Sequence, residues 1–140
     1  MNKIFRTMRT ITEIIVHCSA TREGMDFHAS DIDMWHKQKG WKCIGYHYVI
    51  DLDGTVETGR PMTQTGAHCR GHNQHSIGIC YIGGLDNHGL PCDTRTEAQK
   101  TALLHLIHTL KEQFPQAQVY GHRDFAAKAC PCFDAKKEYI

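Results

Sequence analysis

The chain has no long apolar run. No stretch of its 140 residues approaches the roughly 20 apolar residues that a membrane-spanning helix needs, so membrane insertion is not expected. It also lacks an excess of charge of one sign. Sixteen Lys and Arg face fifteen Asp and Glu, a net charge of +1 with histidine neutral, which leaves no electrostatic footprint for a nucleic-acid partner. Residues Met1 to Thr10 carry Lys3, Arg6 and Arg9 but no apolar segment, so no signal peptide is expected and the protein reads as cytoplasmic when synthesised. There is no internal repeat, low-complexity segment or linker. At this length, with 41% hydrophobic and 22% charged residues, one domain spanning 1–140 with its own core is expected.

The seven cysteines lack the spacing of a disulfide framework or a zinc finger. The count is odd, nothing marks the chain for secretion, and Cys130-Pro131-Cys132 has no matching pair, so all seven are expected to be reduced. Cys43, Cys69, Cys80 and Cys92 read as buried apolar filler. Cys18 follows His17 directly. On a strand it would face the opposite side, which makes it a poor co-ligand for a metal at His17.

What is present alternates strand and helix. Ile11–His17 is a β-branched run that predicts a buried strand. Ser30 is placed as an N-cap, with Asp31 and Asp33 in the first turn and Ile32, Trp35 and His36 at helical spacing, and the helix should end near Gly40. Tyr46–Asp51 reads as a strand that returns through Asp53-Gly54 into Thr55–Thr58. Ser76–Ile82 is a third apolar run. A helix is predicted over Glu97–Phe114, capped by Thr94 or Thr96 and stopped by Pro115. Its apolar stripe is Ala98, Ala102, Leu103, Leu106, Ile107, Leu110 and Phe114. Gln118–Gly121 is a short strand that delivers His122. The fold class is α/β, one mixed central sheet flanked by helices, with a ligand site where strand ends and loops meet.

Three residues carry metal chemistry. His17 ends a strand, and Gly121-His122-Arg123-Asp124-Phe125-Ala126-Ala127-Lys128-Ala129-Cys130-Pro131 places a second histidine and a cysteine on one loop. Two imidazoles and a thiolate are good zinc ligands, and three protein ligands leave the fourth position open, as in catalytic sites. Such zinc makes a nucleophile from water at neutral pH. The thiolate cancels one charge of the metal, so a nearby cation must help with a developing oxyanion, and Lys128 can supply it. A tyrosine hydroxyl could hold or deprotonate the water, but spacing does not choose among Tyr46, His47 and Tyr48. Gly66-Ala67-His68 and Gly71-His72-Asn73 read as a substrate-lining loop in which His68 and Asn73 hydrogen-bond sugar or peptide groups, or equally as a polar turn. Asp124 either orients a ligand histidine or caps its loop, and the cap is favoured.

These pieces together resemble the zinc-dependent N-acetylmuramoyl-L-alanine amidases of the phage lysozyme and peptidoglycan recognition protein family. The matching segments are Ile15-Val16-His17-Cys18-Ser19-Ala20-Thr21, Gly45-Tyr46-His47-Tyr48-Val49-Ile50, Gly66-Ala67-His68 with Asn73, Ser76-Ile77-Gly78-Ile79, and Gly121-His122-Arg123-Asp124 with Lys128 and Cys130-Pro131. They run in the family's order from about residue 11 to 134. The resemblance implies a zinc at the base of a surface groove, one per chain, held by His17, His122 and Cys130. It implies catalytic roles for Tyr46 and Lys128. It implies cleavage of the amide between N-acetylmuramic acid and L-alanine in bacterial peptidoglycan. The cysteine ligand points to the phage or prophage lytic branch, acting on the wall after release or holin-type export, as a monomer. Animal relatives carry a disulfide near Cys18 and Cys43, which makes that pair the expected exception among reduced cysteines. Cys132 departs from the pattern and could compete for metal or oxidise with Cys130. The alternatives are a non-catalytic peptidoglycan-binding module and a thiol hydrolase with Cys130 as nucleophile.

Overall fold

The computed structural model describes residues 9–140; most of the basic N-terminal segment considered for a signal peptide lies outside them. Strand β1 is Glu13–Cys18, β2 Thr21–Arg22, helix α1 Ala29–Gln38, β3 Tyr48–Ile50, β4 Val56–Thr58, β5 Ser76–Tyr81, β6 Gly84–Leu85, α2 Glu97–Gln113, β7 Gln118–Gly121 and α3 Ala135–Glu138. Short 3-10 turns cover Asn73–His75 and His122–Asp124. Five strands form one sheet in the order β4-β3-β5-β1-β7, and β2 pairs with β6 in a separate two-stranded ribbon. β1 is parallel to both β5 and β7, β3 is parallel to β5, and only β4 runs antiparallel to β3. The sheet is therefore mixed, with helices beside it, as the alternation of elements predicts.

The central strands are buried on both faces, which explains their continuous apolar runs. Ile14, Val16 and Cys18 on β1, with Ile77, Ile79 and Tyr81 on β5, join Leu103, Ile107 and Leu110 of α2 in the larger core. The alternate residues Val49, Cys80 and Ile82 join Ile32 of α1 and Ile44 in a smaller cluster on the other face. Burying each large aliphatic side chain contributes about 1.5–3 kcal/mol, so the α2 face supplies most of the apolar stabilisation.

α2 starts where its capping box lies. Thr96 Oγ accepts from Gln99 N at 3.0 Å, and Gln99 Oε1 accepts from Thr96 N at 2.9 Å. Thr94 is used elsewhere, accepting from Gly84 N. Gln99 takes the stripe position expected of Ala98, which is exposed. Its buried amide donates to Ile50 O and Ile82 O, so it closes the C-terminal ends of β3 and β5.

Several boundaries differ from the sequence reading. α1 begins at Ala29, before the expected cap Ser30. Asp31 reaches back to accept from His28 N at 2.8 Å, and Glu57 accepts from Ala29 N at 2.9 Å, so carboxylates satisfy the helix's first donors. β3 spans only Tyr48–Ile50, and Tyr46 precedes it. Period-two alternation therefore does not carry back to Tyr46, which packs on the α1-face cluster while Tyr48 packs on the α2-face core. Of the four cysteines read as filler, Cys69 and Cys80 are buried, Cys43 is half-buried and Cys92 is exposed.

Candidate active site

His17 is the penultimate residue of β1 and His122 follows β7, and these strands are parallel neighbours, so both imidazoles stand at their shared C-terminal edge. The loop after His122 folds back to bring in Cys130. It is held by Arg123 N donating to Cys130 O at 2.7 Å and by the Tyr81 hydroxyl donating to Pro131 O at 2.6 Å. Asp124 accepts from Gly121 N at 2.8 Å and so caps the loop.

The ligand atoms of His17, His122 and Cys130 lie within 4.8 Å of one another. Cys130 Sγ is 3.9 Å from His17 Nδ1. Zinc bond lengths of about 2.0 Å to nitrogen and 2.3 Å to sulfur put tetrahedral N and S ligands about 3.6 Å apart, so the spacing fits. Cys130 Sγ also accepts from Cys18 N at 3.2 Å, which ties the end of the loop to β1. The imidazoles are kept neutral, as ligands must be. Burial pushes His17, 1% exposed, well below the ordinary histidine range, and the His68, His122 and Lys128 charges act the same way. Burial and then Lys128 lower His122.

His68 lines that side of the site with its ring nitrogens already engaged. Its Nδ1 is 2.9 Å from His17 Nε2, and its Nε2 is 3.1 Å from Ser76 Oγ. With His17 Nδ1 toward Cys130, a self-consistent proton arrangement has His17 Nε2–H donating to His68 Nδ1 and His68 Nε2–H donating to Ser76. That chain fixes the tautomer and ring angle of His17. Burial takes His68 down to about 3, so it stays neutral. Gly78 makes room for it: a Cβ there would sit 2.6 Å from the His68 ring. Asn73 is likewise occupied, its Oδ1 accepting from His68 N and Cys69 N at 2.9 Å each. The amide NH2 is the part of Asn73 left to donate.

The Tyr46 ring lies 5.0 Å from that of His17 and 5.5 Å from that of His36. Its phenol is held protonated, first by burial and then by the thiols of Cys80, Cys130 and Cys18. His47 is committed to the backbone, accepting from Gly78 N at 3.1 Å through Nδ1 and lying 2.8 Å from Gln64 O through Nε2. Between Tyr46 and His47, it is the tyrosine whose ring packs against His17, tilted by 52°. Lys128 shares with His122, His68 and Asn73 the lining of an open cavity of about 490 Å³, whose other walls include Trp41 and Phe125. A second cavity of about 520 Å³, lined by Glu13, His72 and His75, holds none of the candidate ligands.

Two cysteine expectations change. Cys132 Sγ faces Gly84 O at 3.2 Å and Cys18 Sγ at 4.0 Å and is not in the ligand group, so it is not placed to compete for the metal. Cys18 Sγ thus has Cys132 Sγ within 4.0 Å, whereas Cys43 Sγ points to Ile44 O; all seven thiols are free. Sequence reasoning missed Ser76 and Gly78 as the cradle of His68, and His36, whose Nδ1 accepts from Gly45 N at 2.9 Å beneath Tyr46. The run Ser76-Ile77-Gly78 was visible, but which partner needed its serine and its missing side chain was not.

Comparison with known proteins agrees with this geometry. Residues 7–133 match the model of the N-acetylmuramoyl-L-alanine amidase family. The chain is 43% identical over 138 residues to an endolysin of Enterobacteria phage K11, covering 98% of this chain and 91% of that protein. It is 46% identical over 138 residues, with the same coverage, to an endolysin of Klebsiella phage KP32. Among solved structures, the N-acetylmuramoyl-L-alanine amidase LysC from Clostridium intestinale URNW superposes with a TM-score of 0.78 at 28% identity, over 94% of this chain and 83% of that one. With this family match spanning nearly the whole chain, and with two imidazoles and a thiol meeting at the sheet edge, the protein belongs to the N-acetylmuramoyl-L-alanine amidase family.

Proposed function

We propose that the chain is a zinc-dependent amide hydrolase that cuts between N-acetylmuramic acid and L-alanine of bacterial peptidoglycan, as a phage-type lytic enzyme. The observation that carries this reading is the convergence of His17, His122 and Cys130 beside a cavity that also holds Lys128, in a chain of the amidase family. An N2S donor set with neutral imidazoles suits zinc. Zinc bound there would supply a water of pKa about 7 and a Lewis acid for the scissile carbonyl.

The chain's own residues do the rest. His68 and Ser76 hold His17 in one orientation. Tyr46, kept neutral, acts as a hydroxyl that positions the attacking water or donates to the carbonyl oxygen, which is a narrower role than the deprotonation expected from its residue type. Lys128 brings an ammonium to the negative charge that develops on the carbonyl oxygen. Asn73 NH2 and the Trp41 and Phe125 faces are the groups available to sugar and peptide. No helix of the described residues is long and apolar enough to cross a membrane. In this reading a monomer is made in the cytoplasm and meets the wall after release.

Mass spectrometry of digested peptidoglycan tests it. The expected product is a stem peptide with a free L-alanine amino group and uncut glycan, formed by the metal-loaded protein and lost with a chelator. Shortened glycan, or cutting that survives chelation, would overturn it. Binding to the wall without cutting would leave the non-catalytic module.

A further inference from the structure

A second cluster of ligand atoms lies where the start of α1 meets the β3–β4 hairpin, and it shares no residue with the candidate active site. We propose that His28, Asp51 and Glu57 form a second binding site for a divalent transition-metal ion, pinning α1 to the hairpin.

The geometry is that of ligands gathered around one point. One imidazole nitrogen and two carboxylate oxygens lie within 4.8 Å of one another. His28 Nδ1 is 3.1 Å from Asp51 Oδ2 and 3.6 Å from Glu57 Oε2. The three residues come from three places in the chain: the residue before α1, the residue after β3, and the middle of β4. The second observation is Asp51 itself. Its side chain is only 5% exposed, and its Oδ1 is a buried oxygen with no hydrogen-bond partner among the described residues. Buried carboxylate oxygens are normally satisfied, and a coordinated cation would satisfy this one.

The surroundings also suit a cation. Burial and the neighbouring Glu57 carboxylate push Asp51 up to about 6, the mark of two carboxylates close enough to share a proton. A protonated His28 can meet Asp51 Oδ2 and Glu57 but leaves Oδ1 unpaired. A divalent ion would cancel both carboxylate charges at once. On the other side of the ring, Asp26 Oδ1 is 3.3 Å from His28 Nε2. A carboxylate behind a histidine holds the proton on that nitrogen and frees the other for metal. Glu57 is fixed by the Ala29 N–H at 2.9 Å. One imidazole with two carboxylates favours zinc, cobalt, nickel or manganese over calcium or magnesium.

Titration of the full chain with Zn²⁺, read by bound metal and by thermal melting, tests the proposal. The wild type should bind two equivalents, and its melting temperature should rise again between the first and second, because binding the folded state alone stabilises it. Glu57→Gln and Asp51→Asn should each bind one and lose the second rise. Cys130→Ser should also bind one, but keep the rise, and Cys130→Ser with Glu57→Gln should bind none. Co²⁺ separates the centres by spectrum: the second equivalent should lack the thiolate charge-transfer band. Peptidoglycan cleavage by Glu57→Gln should stay at the wild-type rate. Saturation of the wild type at one equivalent would overturn the proposal and leave an ionic cluster. A second equivalent that survives in Glu57→Gln would also overturn it, assigning the ion to surface histidines. Should Asp51→Asn not fold, the more exposed Glu57 carries the test alone.

Discussion

The two faces of the central sheet are built from the same strands and differ in what those strands present. Toward α2, β1 and β5 offer Ile14, Val16, Ile77, Ile79 and Tyr81, closed by Leu103, Ile107 and Leu110. Toward α1, the same strands offer His17, Ser76, Gly78 and Cys80, α1 itself adds His36, and the neighbouring loops add Tyr46, His47 and His68. The first face is close-packed hydrocarbon. The second sets a smaller apolar cluster beside a group of neutral imidazoles, each with a ring nitrogen held by a backbone group, a hydroxyl or another ring. The contrast shows how a chain this short carries both stability and a candidate metal centre: the period-two pleat separates the two tasks to opposite sides of one sheet. Gly78 is part of this arrangement, since any side chain there would occupy the space of the His68 ring.

If the faces are independent, lesions on one should leave the property of the other unchanged. The largest effect on activity should come from Cys130→Ser. It removes the thiolate from the His17 centre, and amide hydrolysis should fall to background while circular dichroism stays folded. Cys132→Ser, on the Gly84 side, should keep that metal and its activity. Metal analysis and Co²⁺ spectra on both variants check this, and a thiolate band that persists in Cys130→Ser would disprove the ligand assignment.

Next in size are Tyr46→Phe and Lys128→Ala. Both should retain metal and bind muropeptide, yet lose about 10²–10³ in rate, equivalent to roughly 3–4 kcal/mol of transition-state stabilisation. The loss should fall on kcat rather than KM. Lys128→Arg should recover only part of it, because a planar guanidinium does not place its charge where an ammonium does. A wild-type rate in Tyr46→Phe with metal bound would reduce that ring to packing against His17 and His36.

Ser76→Ala should be milder. It removes the last link behind His68, and such outer partners are worth about 10–100-fold in metal affinity. Activity at limiting zinc should drop accordingly and return when zinc is in excess. A defect that excess zinc does not repair would place Ser76 in folding rather than in orienting His17.

The smallest effect on catalysis, and the largest on stability, should come from Leu103→Ala on the opposite face. Emptying that fully buried position should cost about 2–5 kcal/mol by denaturant titration. Turnover per folded molecule should not change. A change in kcat or in metal content would show that the two faces are coupled through β1.

Much of this was open to reading in the chain. The β-branched run before His17, the stripe of α2 and the Asp53-Gly54 turn each report a local preference, and local preference largely decided where elements lie. The cluster of motif residues likewise named His17, His122 and Cys130, because imidazole, imidazole and thiol are a chemical statement that needs no coordinates. The tertiary structure decided what depends on contacts across the chain. It took the α1 cap from Ser30, because the Glu57 and Asp31 carboxylates reach the first helical donors. It put Tyr46 and Tyr48 on opposite faces, because β3 starts too late for the period to hold. It set the His68 ring against Gly78, 10 residues away, where its partners are His17 and Ser76. Ligand identity follows from side-chain chemistry, whereas ring orientation, proton placement and the pairing of Asp51 with His28 follow from which strands lie side by side, and no single segment contains that information.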